Sequence, residues 1–341
     1  TCHHRVRATG GRASAAYSNT IPVTTNAVDT YYSRATGNVN DPIWSETPTG
    51  TAGPAVWTNA SNMVVQSGDA VTVDANATIK SLTVEAGATL SINANRFLKA
   101  TAGANAIQGA LNAADNSEFQ ITEGSSATLA LGGTASFWDF RVGMTGGVTV
   151  TGTMEIRGTL QIDDGDFDCT GATVTLRSTA TSTGRLGEMS AGASYTGNLT
   201  IERYIPAGAT NWRLLGSPIQ NRRVNHFIDD FYTAGFPGSH FPGFTVNGNP
   251  WPSIRWYDET DTGAGQNDGM QGVSSNTQLL TPGQGFAAWC GDNLQTTAAF
   301  VIDLGNNAPV VATTPVSLPV SWTDTGSPAV DGWNLVANPL P

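Results

Sequence analysis

The chain has 341 residues, of which only 13% are charged, and its formal net charge is −11 at pH 7. The excess of 27 acidic over 16 basic residues, with no Lys or Arg cluster, argues against nucleic acid or an anionic membrane as a partner. No apolar run is long enough to span a membrane, and the abundant Thr, Ser, Gly and Asn favour short strands and turns over helices.

The first element is an N-terminal segment, residues 1 to 30, with small and polar side chains and no clear periodicity. Such a pattern is typical of an extended leader. The alternative is that "TIPVTT" (20 to 25) adds as a strand to a sheet edge of a neighbouring subunit. No signal peptide is recognisable, so we expect a secreted protein to be represented by a processed or partial chain.

Residues 31 to 203 are dominated by short apolar-x-apolar pairs separated by Gly, Asn, Asp or Ser. Alternate residues of a strand share a face, so each pair points inward. Strands this short and this numerous favour a parallel β-helix with coils of roughly 20 residues, the alternative being a sandwich or barrel. The ten pairs are Val71/Val73, Leu82/Val84, Leu90/Ile92, Phe119/Ile121, Leu129/Leu131, Val148/Val150, Met154/Ile156, Leu160/Ile162, Val174/Leu176 and Leu199/Ile201.

Residues 204 to 341 are richer in Pro and aromatic residues. The pattern predicts a separate antiparallel β-sandwich-like domain with Pro-rich loops, and one short helical turn between 224 and 235. Its predicted strands are Ile254–Tyr257, Gly285–Cys290, 299 to 304, 316 to 322 and 333 to 336.

Two similar segments occur in the chain, "NWRLLGSPI" (211 to 219) and "GWNLVANPL" (332 to 340), and they are called the two copies of the doubled phrase. In both copies alternating apolar residues precede a proline, Pro218 or Pro339, which ends a strand because it lacks a backbone donor. We therefore expect core-facing strand residues in each copy, namely Trp212, Leu214 and Leu215, and Trp333, Leu335 and Val336.

Several segments together carry a family resemblance: "YYSRATGNVNDPIWS" (31 to 45), "VVQSGDAVTVDANATIKSLTVEAGATLSI" (64 to 92), "GNLTIERYIPAGATNWRLLGSPI" (197 to 219), "LTPGQGFAAW" (280 to 289) and "GWNLVANPLP" (332 to 341). In this order they resemble large secreted, adhesin-like surface proteins of Bacteroidetes that are type IX secretion substrates. Val39 departs from the pattern, because the family tends to carry Trp there. The resemblance implies an extracellular location at the cell surface, a role in adhesion, gliding or surface structure, and a sorting domain beyond the last phrase. It supplies no catalytic residues.

The segment "DDGDFD" places Asp163, Asp164, Asp166 and Asp168 close together in a predicted turn. Carboxylates at this density could hold Ca²⁺, which takes six to eight oxygen ligands, although the spacing is not that of an EF-hand. The alternatives are a solvated turn or, with Glu155, Arg157 and Arg177 on neighbouring coils, the site of a glycan-cleaving enzyme. No other cofactor is expected.

Exposed aromatic residues stack on sugar rings and anchor interfaces, which makes the tryptophans of the second region candidates for binding. Trp251 and Trp256 are the first candidates for binding a glycan or a protein partner. Trp289 and Trp322 are further candidates. The alternative is a Trp-rich core.

The cysteines Cys2, Cys169 and Cys290 lie far apart and allow at most one disulfide, whose partners the sequence does not identify. Only Cys290 with His226 or His240 could pair a thiol with an imidazole, and neither histidine lies in a catalytic motif.

Without a recognisable active site, we expect an extracellular structural or adhesive surface protein and not an enzyme. Exposed β-edges and the leader suggest self-association into fibres or sheets. The alternatives are a carbohydrate-binding module and, less favoured, a β-helical polysaccharide lyase or hydrolase.

Overall fold

The computed structural model describes residues 30 to 341 except 210, 262, 264, 266, 291 to 295, 312 to 316, 319 and 327 to 329. Cys2 and all of the predicted leader but Thr30 lie outside the described residues. The described chain is all-β, with a parallel β-helix of about seven turns followed by antiparallel sheets, which confirms the predicted fold class. Within these residues no helix is both long and apolar enough to cross a bilayer.

Nineteen strands build the β-helix. They are β1 Thr30–Ser33, β2 Gly37–Asn38, β3 Trp44–Ser45, β4 Asn62–Val65, β5 Ala70–Val73, β6 Ala77–Ile79, β7 Ser81–Val84, β8 Thr89–Ile92, β9 Phe97–Ala100, β10 Gly103–Ile107, β11 Ala110–Ala113, β12 Glu118–Thr122, β13 Ala127–Phe137, β14 Asp139–Gly143, β15 Val148–Ile156, β16 Thr159–Leu176, β17 Arg185–Leu186, β18 Ala193–Thr196 and β19 Thr200–Ile205.

Successive coils stack in parallel register and form three faces. Met63 lies beside Leu82, 19 residues on, and Phe119 lies beside Phe140, 21 residues on, close to the predicted coil length. Face 1 contains β1, β4, β7, β10, the first parts of β13 and β15, the middle of β16, and β18. Face 2 contains β2, β5, β8, β11, the last parts of β13, β15 and β16, and β19. Face 3 contains β6, β9, β12, β14, the start of β16, and β17.

The interior of the β-helix is filled by the predicted apolar pairs, all of whose members are buried except the partly buried Ile201. In the later coils the filling is aromatic: the rings of Phe119, Phe137, Phe140, Phe167 and Tyr195 follow one another with centroids 5.2 to 6.1 Å apart. Such pairs add about 0.5–1.5 kcal/mol each beyond burial, so the stack ties neighbouring coils together.

The N-terminal end of the β-helix is capped. Trp44 and Trp57 meet edge to face at 4.7 Å, and both indole N–H groups donate to the Val39 carbonyl oxygen, at 2.9 and 3.0 Å. β3 pairs antiparallel with β1 and covers its outer edge. At the other end, β19 pairs antiparallel with Phe300–Asp303 of the second region. Paired edges of this kind limit the addition of foreign strands.

The described residues of the second region form nine more strands and a short 3₁₀ turn at Val224–Phe227, within the predicted range. The strands are β20 Gly208–Ala209, β21 Asn211–Gly216, β22 Thr245–Val246, β23 Asn249–Pro250, β24 Ile254–Tyr257, β25 Met270–Gly272, β26 Gly285–Cys290, β27 Thr296–Thr297 and β28 Phe300–Asp303. The predicted strands β24 and β26 are confirmed, and β28 falls within the range predicted from 299 to 304. The described residues of 316 to 322 and 333 to 336 form no strand, and Val336 makes a single bridge to Gln284.

The main sheet of this region has the antiparallel order β21-β26-β24-β25. Its inner face carries the buried Ile254, Phe286, Ala288 and Cys290. Among the described residues no second sheet covers its outer face. The C-terminal segment contacts the outer face at Gly216 and Gly285, through Ala337 and Leu335, and leaves Leu214 exposed.

The prediction that the apolar residues of the doubled phrase face the core is only partly correct. The first copy is strand β21, but Leu214 is 72% exposed because it points to the outer face, away from the buried inner side of the sheet. In the second copy Trp333 is 48% and Val336 42% exposed. These three residues are therefore not core-facing, whereas Leu215 and Leu335 are partly buried. The copies touch each other: a Cβ on Gly216 would lie 2.2 Å from Cβ of Ala337.

Candidate functional site

The outer face of the main sheet carries an aromatic cluster formed by Trp212, Trp251, Trp289, Phe244 and Arg255. The three indole rings pack against one another, and the centroids of each pair are 5.5 to 5.6 Å apart. Phe244 lies edge to face against Trp251 at 5.8 Å. The three tryptophans and Arg255 are half-buried and Phe244 is exposed, so the cluster is open to solvent.

Strand register builds this cluster. Trp212 of β21 lies directly opposite Trp289 of β26, and Arg255 of β24 lies opposite Ala287, one pair along on the same face. Trp251 reaches the cluster from the segment before β24, where its backbone N–H donates to the Phe244 carbonyl at 3.2 Å. Alternation within each strand and the register between strands therefore place Trp212, Trp289 and Arg255 on one face of the sheet. The segment before β24 adds the third tryptophan, Trp251.

Arg255 lies over the aromatic surface. Its guanidinium carbon is 5.2 Å from the centroid of Trp212 and 5.8 Å from that of Trp251, which is cation–π geometry. Its Nε donates to the Pro252 carbonyl at 3.2 Å and fixes the side chain. Among the described residues no carboxylate lies within ion-pair distance of Arg255.

The indole nitrogens distinguish this cluster from the cap of the β-helix. Trp44 and Trp57 both donate to a protein carbonyl. By contrast, within the part of the chain that the structure describes, Trp212, Trp251 and Trp289 donate no indole hydrogen bond. None of these nitrogens is among the buried unpaired atoms, so all three reach solvent. A cluster with unpaired, accessible donors is equipped to bind a ligand.

Only one of the two predicted binding residues belongs to the cluster. Trp251 does, whereas Trp256 lies on the opposite face of β24, opposite Phe286, and packs against the buried core. Trp289, also considered, is a member, and Trp322 is 67% exposed elsewhere. Trp212 was missed because it was expected to face the core. Period-2 alternation places Trp212 and Leu214 on one face of the strand, but it does not say whether that face is buried.

The four aspartates of "DDGDFD" lie within strand β16 and not in a turn between strands. The strand turns a corner at Gly165, whose φ is +70° and where a Cβ would lie 1.9 Å from the Met144 carbonyl oxygen. The prediction of a turn missed this geometry, in which one strand continues from face 3 to face 1.

This corner separates the carboxylates. Asp163 accepts from Arg141 at 2.7 Å on face 3, and Asp164 accepts from its neighbour's backbone N–H at 2.9 Å. On face 1, Asp166 accepts from Ser194 at 2.8 Å and Asp168 from Thr170 at 2.8 Å. No group of three or more His, Cys, Asp or Glu that could hold a metal ion occurs among the described residues. The four carboxylates therefore do not converge on a Ca²⁺ site.

The residues considered for glycan cleavage are also dispersed. Arg177 bridges Glu155, at 3.6 Å, and Glu202, while Arg157 stacks over Trp138 with 5.4 Å between guanidinium carbon and ring centroid. These side chains belong to face 2 or its corner, away from Asp166 and Asp168 on face 1. The carboxylates and the arginines do not form one site.

Cys169 and Cys290 are both free and buried. Burial raises the pKa of the Cys290 thiol to about 12 and also raises that of Cys169, whose Sγ lies 3.0 Å from the Tyr195 hydroxyl. His226 is engaged with Arg222 and Arg223, and His240 with Thr233. The geometry does not favour a thiol–imidazole pair, because burial opposes the thiolate.

Comparison with protein-family models, with curated proteins and with solved structures finds no match to this chain.

Proposed function

We propose that this chain is an extracellular adhesive protein of the cell surface, with the β-helix as a rigid support and the aromatic cluster as the contact with the target. The observation that carries the proposal is the solvent-open cluster, whose indole and guanidinium donors have no partner on the described chain apart from one Arg255 bond. Large aromatic side chains with Arg are the groups that most often dominate binding energy. The resemblance to secreted Bacteroidetes surface proteins supports the extracellular location.

The cluster is stiff, and this favours binding. Three mutually packed indoles and a fixed arginine lose little side-chain entropy when a ligand settles on them. The contact is small, so each site is expected to be weak, and a surface displaying many copies would adhere through multivalency. This suits adhesion better than capture of a free solute.

A flow-adhesion experiment tests the proposal. Beads coated with the full chain are passed over hydrated polysaccharide films, neutral and acidic, and over a protein-coated surface. We expect retention on at least one surface and its loss in Trp251→Ala. Trp138→Ala is the matched control, because Trp138 is also half-buried and also stacks with an arginine, but on the β-helix. Equal retention of both variants, or no retention of wild-type beads on any surface, contradicts the proposal.

Self-association is a second part of the proposal, favoured by one specific observation. Although β1 and β19 have covering partners, β17 and β18 each pair with β16 alone within the described residues. Their free edges can accept an extended strand, and the leader is the candidate donor. Removing residues 1 to 30 should abolish polymers seen by electron microscopy. Polymers of unchanged length from the truncated chain would exclude the leader.

The alternative of a carbohydrate-binding module uses the same cluster and differs only in the target. A lyase or hydrolase is less supported, because its candidate carboxylates are dispersed. Release of oligosaccharide from a glycan panel, lost in Asp166→Asn or Asp168→Asn, would reverse this ranking.

A further inference from the structure

We infer that the ligand of the aromatic cluster is an acidic glycan, in which a ring carboxylate pairs with Arg255 while sugar faces lie on the tryptophans. The inference rests on the proposed function, since it takes the cluster as the contact site. It adds the charge of the ligand, which adhesion alone does not require.

The first argument is the inventory of hydrogen-bonding groups. The cluster offers three indole N–H donors and an arginine, of whose five N–H donors one, at Nε, is used by Pro252. Its side chains, which are Trp, Phe and Arg, contain no acceptor. Neutral sugar hydroxyls are both donors and acceptors, so several would be left without a side-chain acceptor. A carboxylate is acceptor-only, and it complements this set.

The second argument is the charge left on Arg255. Three other arginines are ion-paired: Arg141 lies 2.7 Å from both Glu118 and Asp163, Arg177 bridges two glutamates, and Arg157 lies 3.1 Å from Asp115. Arg255 has no carboxylate partner among the described residues, although the chain carries a net charge of −11. A cation without a carboxylate partner, held against the half-buried rings of Trp212 and Trp251, matches an anion.

The third argument is geometry. The guanidinium is fixed through Nε, so its terminal nitrogens are free to hold a carboxylate in two parallel hydrogen bonds. The flanking rings of Trp212 and Trp251 give the apolar surface on which the C–H face of a sugar lies. A uronic acid carries both features on one ring.

Titration calorimetry of the full chain with polygalacturonate, and with the same polymer fully methyl-esterified, tests the inference. We expect the acid form to bind at least about tenfold more tightly, because hydrogen bonds to charged groups are the strong ones, and we expect this preference to shrink with added salt. Arg255→Met should remove the preference and leave weak binding to both polymers. Arg255→Lys should retain part of it, since the charge remains but the paired geometry is lost. A sulfated polymer without carboxylates is the third ligand, and weaker binding of it than of polygalacturonate is expected.

The outcomes separate the two proposals. Equal affinity for acid and ester, or a preference unchanged in Arg255→Met, overturns the acidic-glycan inference and leaves adhesion standing. Tighter binding of the sulfated polymer than of polygalacturonate overturns the carboxylate assignment. If neither the flow assay nor calorimetry detects binding, both proposals fail. Trp138→Ala should bind like wild type throughout, and the unfolding midpoint of each variant shows whether it is folded.

Discussion

Replacing Phe140 by Ala should destabilise the β-helix more than any change on its surface. The Phe140 side chain is fully buried, and its ring lies 5.2 to 6.1 Å from the rings of Phe119, Phe137 and Phe167. Removing a buried phenylalanine ring costs about 3–5 kcal/mol. We expect the upper part of this range, since the coils on either side hold the cavity open. At a urea slope of about 2–3 kcal/mol/M, a loss of about 4–5 kcal/mol lowers the midpoint by roughly 1.3–2.5 M.

The matched control is Phe97→Ala. Phe97 lies on face 3 like Phe140, but points outward from β9 and is half-buried, so its loss should cost less than about 1 kcal/mol. Urea unfolding followed by far-ultraviolet circular dichroism compares the two variants with wild type. Equal midpoints for Phe140→Ala and Phe97→Ala would refute the assignment of the phenylalanine stack as the support of the later coils.

Three further predictions concern charge, backbone and the C-terminal segment. Burial raises the pKa of Asp230 to about 7, so the folded chain loses stability as pH rises from about 4 to 7, and Asp230→Asn should be about 1–2 kcal/mol more stable than wild type above pH 7. Gly165→Ala should lower the free energy of unfolding by more than about 1 kcal/mol in urea titrations, because its φ is +70° and Met144 blocks a Cβ. Glu259, although buried, accepts hydrogen bonds from Thr323, Ser321 and Gly332, which hold its pKa below the usual value. This stabilisation is present above about pH 4 and is lost below it, so both acid and Glu259→Gln should lower the protection factor of the Thr323 amide, which compares its exchange rate with the intrinsic rate at the same pH.

Each of these predictions has a contradicting result. Asp230→Asn and wild type should be equally stable below pH 4, and a gain that persists there would exclude titration of Asp230 as its cause. Gly133→Ala is the control for Gly165→Ala, since nothing lies within 4 Å of a Cβ at Gly133, and equal losses would exclude the contact with Met144. Unchanged exchange at Thr323 in Glu259→Gln would mean that other contacts hold the C-terminal segment.

The β-helix could be predicted because its rule is local. A buried pair such as Val71 and Val73 needs only period-2 alternation, and the short coil repeats the pattern within about 20 residues. The same rule predicted β24 and β26. The corner at Gly165 was less visible, because a solenoid lets one strand pass from face to face where most folds would place a turn.

The aromatic cluster could not be assembled from sequence, because its members meet through long-range register. Trp212 and Trp289 are opposite each other only once β21 and β26 pair, and Trp251 joins from a loop. Whether a tryptophan of this sheet is buried or exposed depends on which face of the sheet is covered by the rest of the chain. Alternation alone assigns Trp256 and Arg255 to opposite faces without saying which face is buried.

The stacked coils also fix the steps in which the length of the β-helix can change. Each coil pairs only with the coils before and after it, so a whole coil of 19 to 21 residues is the smallest piece that can be gained or lost without disturbing the cap at Trp44 and Trp57 or the junction at β28. A gain of a single residue would instead turn inward side chains outward. Every added coil moves the aromatic cluster about 4.7–4.9 Å further from the N-terminal cap, so the distance between the two can change in fixed steps while the chemistry of the cluster stays constant.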